Sequence, residues 1–159
     1  MTPSEVCSKC GSDIWRDHGK SRECVRCKQF ASMSLNAKAK RANTAQPILA
    51  ITRSEFVAWA NESERACYSC GVPEHLIEHL RVSTKAARQL RLLGVDRLDN
   101  NGDYALGNIG LACLPCNNAK AGFFSADEIK LVGVGIARVW RARLTAAGVV
   151  DPWLEADHV

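Results

Sequence analysis

The spacing of apolar and polar positions predicts two amphipathic helices, each opened by a capping box. Thr52 with Glu55, and Ser125 with Glu128, place a hydroxyl and a carboxylate three residues apart just before an apolar run. The first helix is expected to stop near Asn61, and two glycines inside the second helix weaken its helix propensity. The second helix is expected to present an apolar face made of Ile129, Val132, Ile136 and Trp140.

Between these helices the pattern predicts a strand, a loop, a returning strand and the start of a short helix. The first strand leads into Asp96, and residues 109–112 form the returning strand. Residues 100–103 (NNGD) carry a strong turn signal between the two strands. Residues 117–121 start the short helix, so the segment predicts a compact strand–loop–strand–helix unit.

Length and composition limit the class of protein. The chain has 159 residues, 47% apolar and 24% charged, which suits one compact domain or a core with a small appendage. No segment reaches the roughly 20 apolar residues of a membrane-spanning helix, so no membrane partner is expected. The first residues lack the charged start and apolar core of a secretory signal, which predicts a cytoplasmic location.

The cysteines indicate metal binding. All eight fall into four CxxC pairs: Cys7/Cys10, Cys24/Cys27, Cys67/Cys70 and Cys113/Cys116. Two such pairs supply the four thiolates of a structural zinc site, so two zinc ions per chain are expected. A redox motif or a disulfide framework is the alternative, but a redox site needs one CxxC pair and no secretion signal supports disulfides.

The spacing of these pairs predicts four consecutive regions. Residues 1–30 form a four-cysteine zinc knuckle with too few apolar residues for a core without metal, and residues 31–51 form a basic arm or linker. Residues 52–124 hold a helix and the second zinc module. Residues 125–159 hold the C-terminal helix and an acidic tail.

The segment GVDRLDNNGDYALGNIGLACLPCNNAK (94–120) resembles the ββα-metal core of the HNH, or His-Me finger, endonucleases. Such cores carry an Asp followed by a basic residue, an Asn in the loop, and CxxC-N-xx-K entering the helix. The order of both zinc modules and the flanking helices is similar to a rare-cutting restriction branch of this family. The resemblance implies an α+β fold, with a small zinc-stapled ββα-metal core, an N-terminal four-cysteine knuckle and flanking helices.

The resemblance also implies roles for the residues that match the motif. Asp96 and Asn117 offer hard oxygen ligands that suit a catalytic Mg²⁺. Asn108 is expected to hold the loop in position, and Lys120 to contact phosphate. These residues together imply metal-dependent hydrolysis of a phosphodiester bond.

Arg97 stands where the commonest HNH pattern has a histidine that acts as general base. An arginine stays protonated, so it can clamp phosphate but cannot take a proton from water. Tyr68, inside the second zinc turn, is the candidate base, provided that its pKa of about 10 is lowered. Two alternatives stay open: Tyr68 packs over the zinc turn, or Arg97 marks a decayed nuclease.

The predicted function is site-specific cleavage of double-stranded DNA by a restriction-type endonuclease. One ββα-metal site cuts one strand, so cutting both strands of a palindrome implies a homodimer. The net charge of +4 is concentrated in basic clusters, which suit a DNA backbone or, equally, solvated faces. The expected DNA-binding residues are Lys38, Lys40, Arg41, Asn43, Arg81, Lys85, Arg88 and Arg91. A homing or nicking HNH endonuclease and an inert zinc-dependent DNA-binding protein remain the alternatives.

The segment 75–79 (HLIEH) also matches the H-x-x-E-H signature of a class of zinc proteases. Such a site needs a third ligand and a cleft in a larger domain. Here the motif lies between two zinc-binding cysteine pairs, which leaves little room. We interpret it as a chance match.

Overall fold

A computed structural model describes residues 6–17, 22–39, 46–80 and 92–156 of the chain. The chain divides into two compact units, the first made of Met1–Glu64 with Asn101–Ile109 and the second of Arg65–Asn100 with Gly110–Val159. Apart from residues 31–38, the four regions expected from the cysteine spacing stay a prediction. No helix in the described segments is long and apolar enough to cross a membrane.

The first unit joins a small hairpin to two packed helices. Strands β1 and β2 pair antiparallel, with Trp15 opposite Cys24. The predicted capping box of α2 is present, because the Thr52 side chain accepts from the Glu55 N–H while the Glu55 carboxylate accepts from the Thr52 N–H. The elements are β1 (Trp15–Asp17), β2 (Arg22–Cys24), α1 (Val25–Lys38), α2 (Arg53–Glu62) and a 3₁₀ helix (Leu106–Asn108).

Helix α1 corrects part of the sequence analysis, which expected an arm or linker from residue 31. The helix continues to Lys38 because every fourth residue on one face is buried. That face consists of Val25, Gln29, Met33 and Ala37. One polar and one small member make the stripe hard to recognise from hydropathy.

A buried arginine ties α1 to α2. Arg26 is fully buried, and its guanidinium donates to the Gln29 side chain at 2.8 Å and to the Ala60 carbonyl at 3.3 Å. Phe30 and Phe56 add a tilted ring contact with centroids 6.0 Å apart. The charged side chain therefore belongs to the core of the first unit.

The second unit contains the predicted strand–loop–strand–helix segment. Strands β3 and β4 form a two-stranded sheet, and α3 packs against β3 and α4. The elements are a 3₁₀ helix (Glu74–Leu80), β3 (Gly94–Arg97), β4 (Ile109–Ala112, whose first residue belongs to the first unit), α3 (Leu114–Lys120), α4 (Ala126–Ala146) and α5 (Pro152–Glu155). The α+β class and the ββα arrangement are therefore confirmed.

Helix α4 begins with the predicted capping box at Ser125, but its buried face differs from the expected one. Val132 lies on the exposed side, with 36% of its surface accessible. The buried face is made of Ile129, Gly133, Ala137, Trp140 and Leu144. The helix buries this face because Gly133 packs against the backbone of Ser69. The contact is so close that an added Cβ would lie 2.2 Å from the Ser69 carbonyl oxygen.

Candidate active site

Each set of four cysteines gathers around one point. In both clusters, one formed by Cys7, Cys10, Cys24 and Cys27 and one by Cys67, Cys70, Cys113 and Cys116, the four sulfur atoms lie within 4.8 Å of one another. The Sγ atoms of Cys7 and Cys27 are 3.8 Å apart, those of Cys10 and Cys24 are 3.5 Å apart, and those of Cys70 and Cys113 are 3.7 Å apart. All eight thiols are free. A tetrahedron with Zn–S bonds of about 2.3 Å has edges of about 3.8 Å, so both clusters could hold zinc.

Both clusters are built on the same turn. In each CxxCG segment the N–H of the final glycine donates to the carbonyl of the first cysteine at 2.7 Å. Gly11 and Gly71 adopt left-handed backbone angles, with φ of 73° and 70°. The N–H groups of Cys7 and Cys67 close the loops by donating to the Ser12 and Val72 carbonyls at 2.8 and 2.9 Å. The glycine after the first CxxC pair of each cluster is therefore part of the motif.

The crowding of the thiols explains why a cation suits these clusters. Burial and the neighbouring thiols raise the pKa of Cys27. Hydrogen bonds with the surrounding cysteines, and then burial, raise the pKa of Cys70. Charging several thiols at one point is therefore unfavourable unless a divalent cation compensates them, which is the chemistry of a structural zinc site.

Tyr68 connects the second cysteine cluster to the two-stranded sheet. Its N–H donates to the Leu111 carbonyl on β4 at 2.8 Å, and its hydroxyl donates to Asp96 Oδ2 on β3 at 2.8 Å. The ring is half-buried, and the Asp96 carboxylate is buried. The structure thus brings together the candidate base and the candidate metal ligand.

Lys120 lies under this pair and not at the surface. It is fully buried, and its Nζ donates to the Arg97 carbonyl at 2.6 Å and to Asn100 Oδ1 at 2.5 Å. Asp96 Oδ2 lies 3.4 Å from the same Nζ. This placement corrects the expected phosphate contact, because the ammonium group is enclosed by the end of β3 and its loop.

The surroundings of Tyr68 raise its pKa, whereas the base role expected from the sequence needs a lowered pKa. Burial, the hydrogen bond to Asp96 and the charge of that carboxylate all raise the pKa of Tyr68. A general base at neutral pH would need a lowered pKa. In these surroundings the hydroxyl is therefore protonated and acts as a hydrogen-bond donor to Asp96.

Asp96 and Asn117 fit the chemistry of a magnesium site. Both contacts of the Asp96 carboxylate involve Oδ2, so Oδ1 has no partner among the described residues. Asn117 is half-buried on α3, and its Nδ2 lies 3.9 Å from the position of a Cβ at Gly94, where β3 starts. Carboxylate and amide oxygens are the ligands that Mg²⁺ prefers, so these residues fit a hard cation.

The solved structures include a close structural match. It is the rare-cutting HNH restriction endonuclease PacI, with a TM-score of 0.69 and 29% sequence identity. The match covers 91% of this chain and 99% of the PacI chain. The chain has the HNH fold. No protein-family model and no curated protein matches the sequence.

Asn108, which is expected to be the middle residue of the HNH motif, lies in the first unit. Its Nδ2 donates to the Asp103 carbonyl at 2.9 Å, and Asp103 Oδ1 accepts from the Ile48 N–H at 2.8 Å. Asn108 therefore braces the loop that leads into β4. Its role in the HNH site stays a prediction.

The expected DNA-binding residues fall mostly outside the described segments. Lys38 is exposed in the last turn of α1. The residues outside the described segments are Lys40, Arg41, Asn43, Arg81, Lys85, Arg88 and Arg91. Their contribution to DNA binding stays a prediction.

The two histidines of the H-x-x-E-H match lie in the 3₁₀ helix beside the HNH core. His75 Nε2 lies 2.8 Å from Asp151 Oδ2, and Asp151 also caps the short helix α5. His79 lies 3.9 Å from Glu78. His75 thus anchors α5.

Sequence reasoning missed three residues around the HNH site. Asn100 holds the Lys120 ammonium, Ser69 Oγ donates to the Ile129 carbonyl at 2.9 Å, and Gly110 lies directly under the ring of Tyr68. The turn signal at 100–103 marked Asn100 as a loop residue but gave no partner. A glycine at position 110 indicates a close packing contact only once Tyr68 is known to lie against it.

Proposed function

We propose that the chain is a metal-dependent, site-specific endonuclease that cuts double-stranded DNA. The observation that carries this proposal is the juxtaposition of Tyr68 and Asp96 on a ββα core whose structural match, PacI, is an HNH restriction endonuclease. The positive charge of +4 supports a polyanionic partner. A fold alone does not define chemistry, so the proposal depends on the residues of this site.

Each residue has a role in the proposed reaction. Asp96 and Asn117 would hold Mg²⁺, and Arg97 would bind the scissile phosphate. Bound Mg²⁺ supplies positive charge that stabilises the developing charge on the phosphate and lowers the pKa of groups beside it. The hydrogen bond to Asp96 would position the Tyr68 hydroxyl before the reaction. With its pKa lowered by a bound cation and by Arg97, Tyr68 would release its own proton to solvent and, as phenolate, take the proton of the attacking water.

The proposed assembly on DNA is a homodimer. One ββα site holds one scissile phosphate, so cutting both strands of a symmetric sequence requires two copies of the site. The basic residues of the 38–43 and 81–91 segments would contact the backbone and base edges.

A plasmid cleavage assay with Mg²⁺ tests the proposal. Wild-type protein should give discrete linear fragments, whereas Asp96→Ala and Tyr68→Phe should lose most of the activity. Tyr104→Phe is the matched control, because the Tyr104 backbone pairs with Ile48 and Ala50 and the residue has no role in the proposed reaction. Nicked circles in place of linear fragments would indicate a nicking or homing enzyme. Full activity of Tyr68→Phe would show that the tyrosine has been assigned wrongly.

A second candidate function is an inert zinc-dependent DNA-binding protein. The raised pKa of Tyr68 and the arginine at position 97 favour this alternative, because neither group then accepts a proton from water. DNA binding with no cleavage in Mg²⁺, Mn²⁺ or Ca²⁺ would support it and exclude the nuclease.

A further inference from the structure

We infer that Gly110 is a positioning residue for Tyr68, because the absence of its side chain lets the tyrosine ring lie against β4 and reach Asp96. The catalytic consequence of this inference depends on the proposed function. The structural part does not depend on it.

The space above Gly110 is filled by the ring. A Cβ added at Gly110 would lie 2.9 Å from Tyr68 Cδ1 and 3.3 Å from Tyr68 Cγ. It would also lie 3.1 Å from Leu98 Cδ2, so a second side chain blocks the other direction. Carbon atoms prefer separations of about 3.5 Å, so an alanine here would displace the ring by roughly 0.6 Å.

The ring has little freedom to absorb that displacement. Its residue is held through the backbone by the Leu111 carbonyl, and the preceding Cys67 belongs to the cysteine cluster. The following Ser69 is fixed by its hydrogen bond to the Ile129 carbonyl. The ring must therefore tilt about its attachment point. Because the hydroxyl is the most distant atom of the side chain, its 2.8 Å bond to Asp96 is what the tilt disturbs.

Gly110→Ala is expected to be harmful, whereas a glycine-to-alanine substitution in a strand is usually favourable. In a strand, replacing glycine by alanine reduces the entropy of the unfolded chain and usually stabilises the protein. Gly110 is buried in β4 and has no left-handed backbone angle that would require glycine. A harmful effect of Gly110→Ala therefore has to come from the contact with Tyr68.

Fluorine NMR tests the position of the ring without any assay of activity. The chain has two tyrosines, Tyr68 and Tyr104, so zinc-loaded protein labelled with 3-fluorotyrosine gives two signals, assigned by Tyr68→Phe. Gly110→Ala should move the Tyr68 signal and leave the Tyr104 signal in place. Gly122→Ala is the matched control, since an added Cβ there meets nothing within 4 Å. An unchanged Tyr68 signal would overturn the inference.

Cleavage kinetics test the consequence. Gly110→Ala should lower kcat by roughly 10- to 100-fold with little change in KM, because a catalytic group has moved while DNA binding has not. In the Tyr68→Phe background the same substitution should have no further effect on kcat. Losses that multiply in the double variant would show that Gly110 acts independently of the tyrosine.

Two outcomes keep the inference separate from the proposed function. If the wild-type protein cuts no DNA, the nuclease proposal fails, and the fluorine signal still decides the position of the ring. If Gly110→Ala does not fold, Tyr68→Ala in the same chain should restore folding and zinc binding, since the ring supplies the one contact under 3.0 Å and its removal leaves room for Leu98 to shift. Failure of that rescue would overturn the inference.

Discussion

A close approach between α4 and the Ser69 turn of the second unit gives a sharp test of the structure. At Gly133 on α4, an added Cβ would lie 2.2 Å from the Ser69 carbonyl oxygen, and 2.6 Å from both the Ser69 carbonyl carbon and Oγ. These are mostly backbone atoms of a turn anchored by cysteines, so they cannot rotate away. Gly133→Ala therefore has to push α4 off the turn.

The magnitude follows from opposing contributions. Alanine gains about 1 kcal/mol of helix propensity over glycine. Overpacking costs about 1–3 kcal/mol, and disturbing the Ser69 hydrogen bond to Ile129 costs about 1 kcal/mol more. We expect Gly133→Ala to lower the free energy of unfolding by about 1–3 kcal/mol.

Gly135 provides the control two residues further along the same helix. It is exposed, and an added Cβ meets nothing within 4 Å, so Gly135→Ala should stabilise the protein by up to about 1 kcal/mol. Urea unfolding of the zinc-loaded protein, followed by circular dichroism, compares both variants with the wild type. If both alanines stabilised the protein equally, the close packing of α4 on the Ser69 turn would be refuted.

Three further predictions concern buried charge, metal and pH. Lys120→Met should lower the free energy of unfolding by about 3–5 kcal/mol, because it leaves the Asp96 carboxylate buried without its cation. Adding Asp96→Asn should recover part of this loss. A loss below about 1 kcal/mol in urea unfolding would contradict the prediction. Native mass spectrometry should find two zinc ions per chain, and a strong chelator should abolish helical circular dichroism; an intact spectrum after complete zinc removal would refute the zinc-dependent fold. The hydrogen bonds from His75 and the Trp153 N–H lower the pKa of Asp151, so the stability that this carboxylate supplies is present above its unfolded pKa of about 4 and is lost as the pH falls through the folded pKa. Asp151→Asn should therefore lower the melting temperature most at pH 7, and the loss should shrink as the pH falls below about 4. An equal loss throughout would show that the charge is irrelevant.

Features that depend on neighbouring residues were predictable from the sequence. Both capping boxes form as expected, because a hydroxyl and a glutamate three residues apart satisfy each other within one turn. Both cysteine clusters gather as expected, because a CxxC turn directs two thiols to one point. The short spacing between Cys10 and Cys24 made the first site local, which left the two distant pairs for the second site.

Features that depend on tertiary contacts were not predictable. Arg26 and Lys120 are charged, and each is buried against a partner that is distant in the sequence. Arg26 donates to the Ala60 carbonyl, and Lys120 donates to Asn100 Oδ1. Hydropathy places both on the surface, and the partner that makes burial favourable becomes visible only in the fold. Similarly, the rotation of α4 depends on what Gly133 touches and not on the helix's own apolar pattern.

Two glycines help to place Tyr68 in the candidate site, because neighbouring groups pack where a side chain would be. Gly110 lies against the ring of Tyr68, and Gly133 lies against the backbone of Ser69, the next residue in the same turn. Both glycines have ordinary backbone angles in regular elements, where glycine is unfavourable, so each costs the isolated strand or helix about 0.5–1 kcal/mol. The contacts that they allow fix the turn from two directions and hold the Tyr68 hydroxyl on Asp96. Each alanine should favour its own strand or helix, but Gly110→Ala should displace the tyrosine ring, and Gly133→Ala should displace the turn and lower the free energy of unfolding.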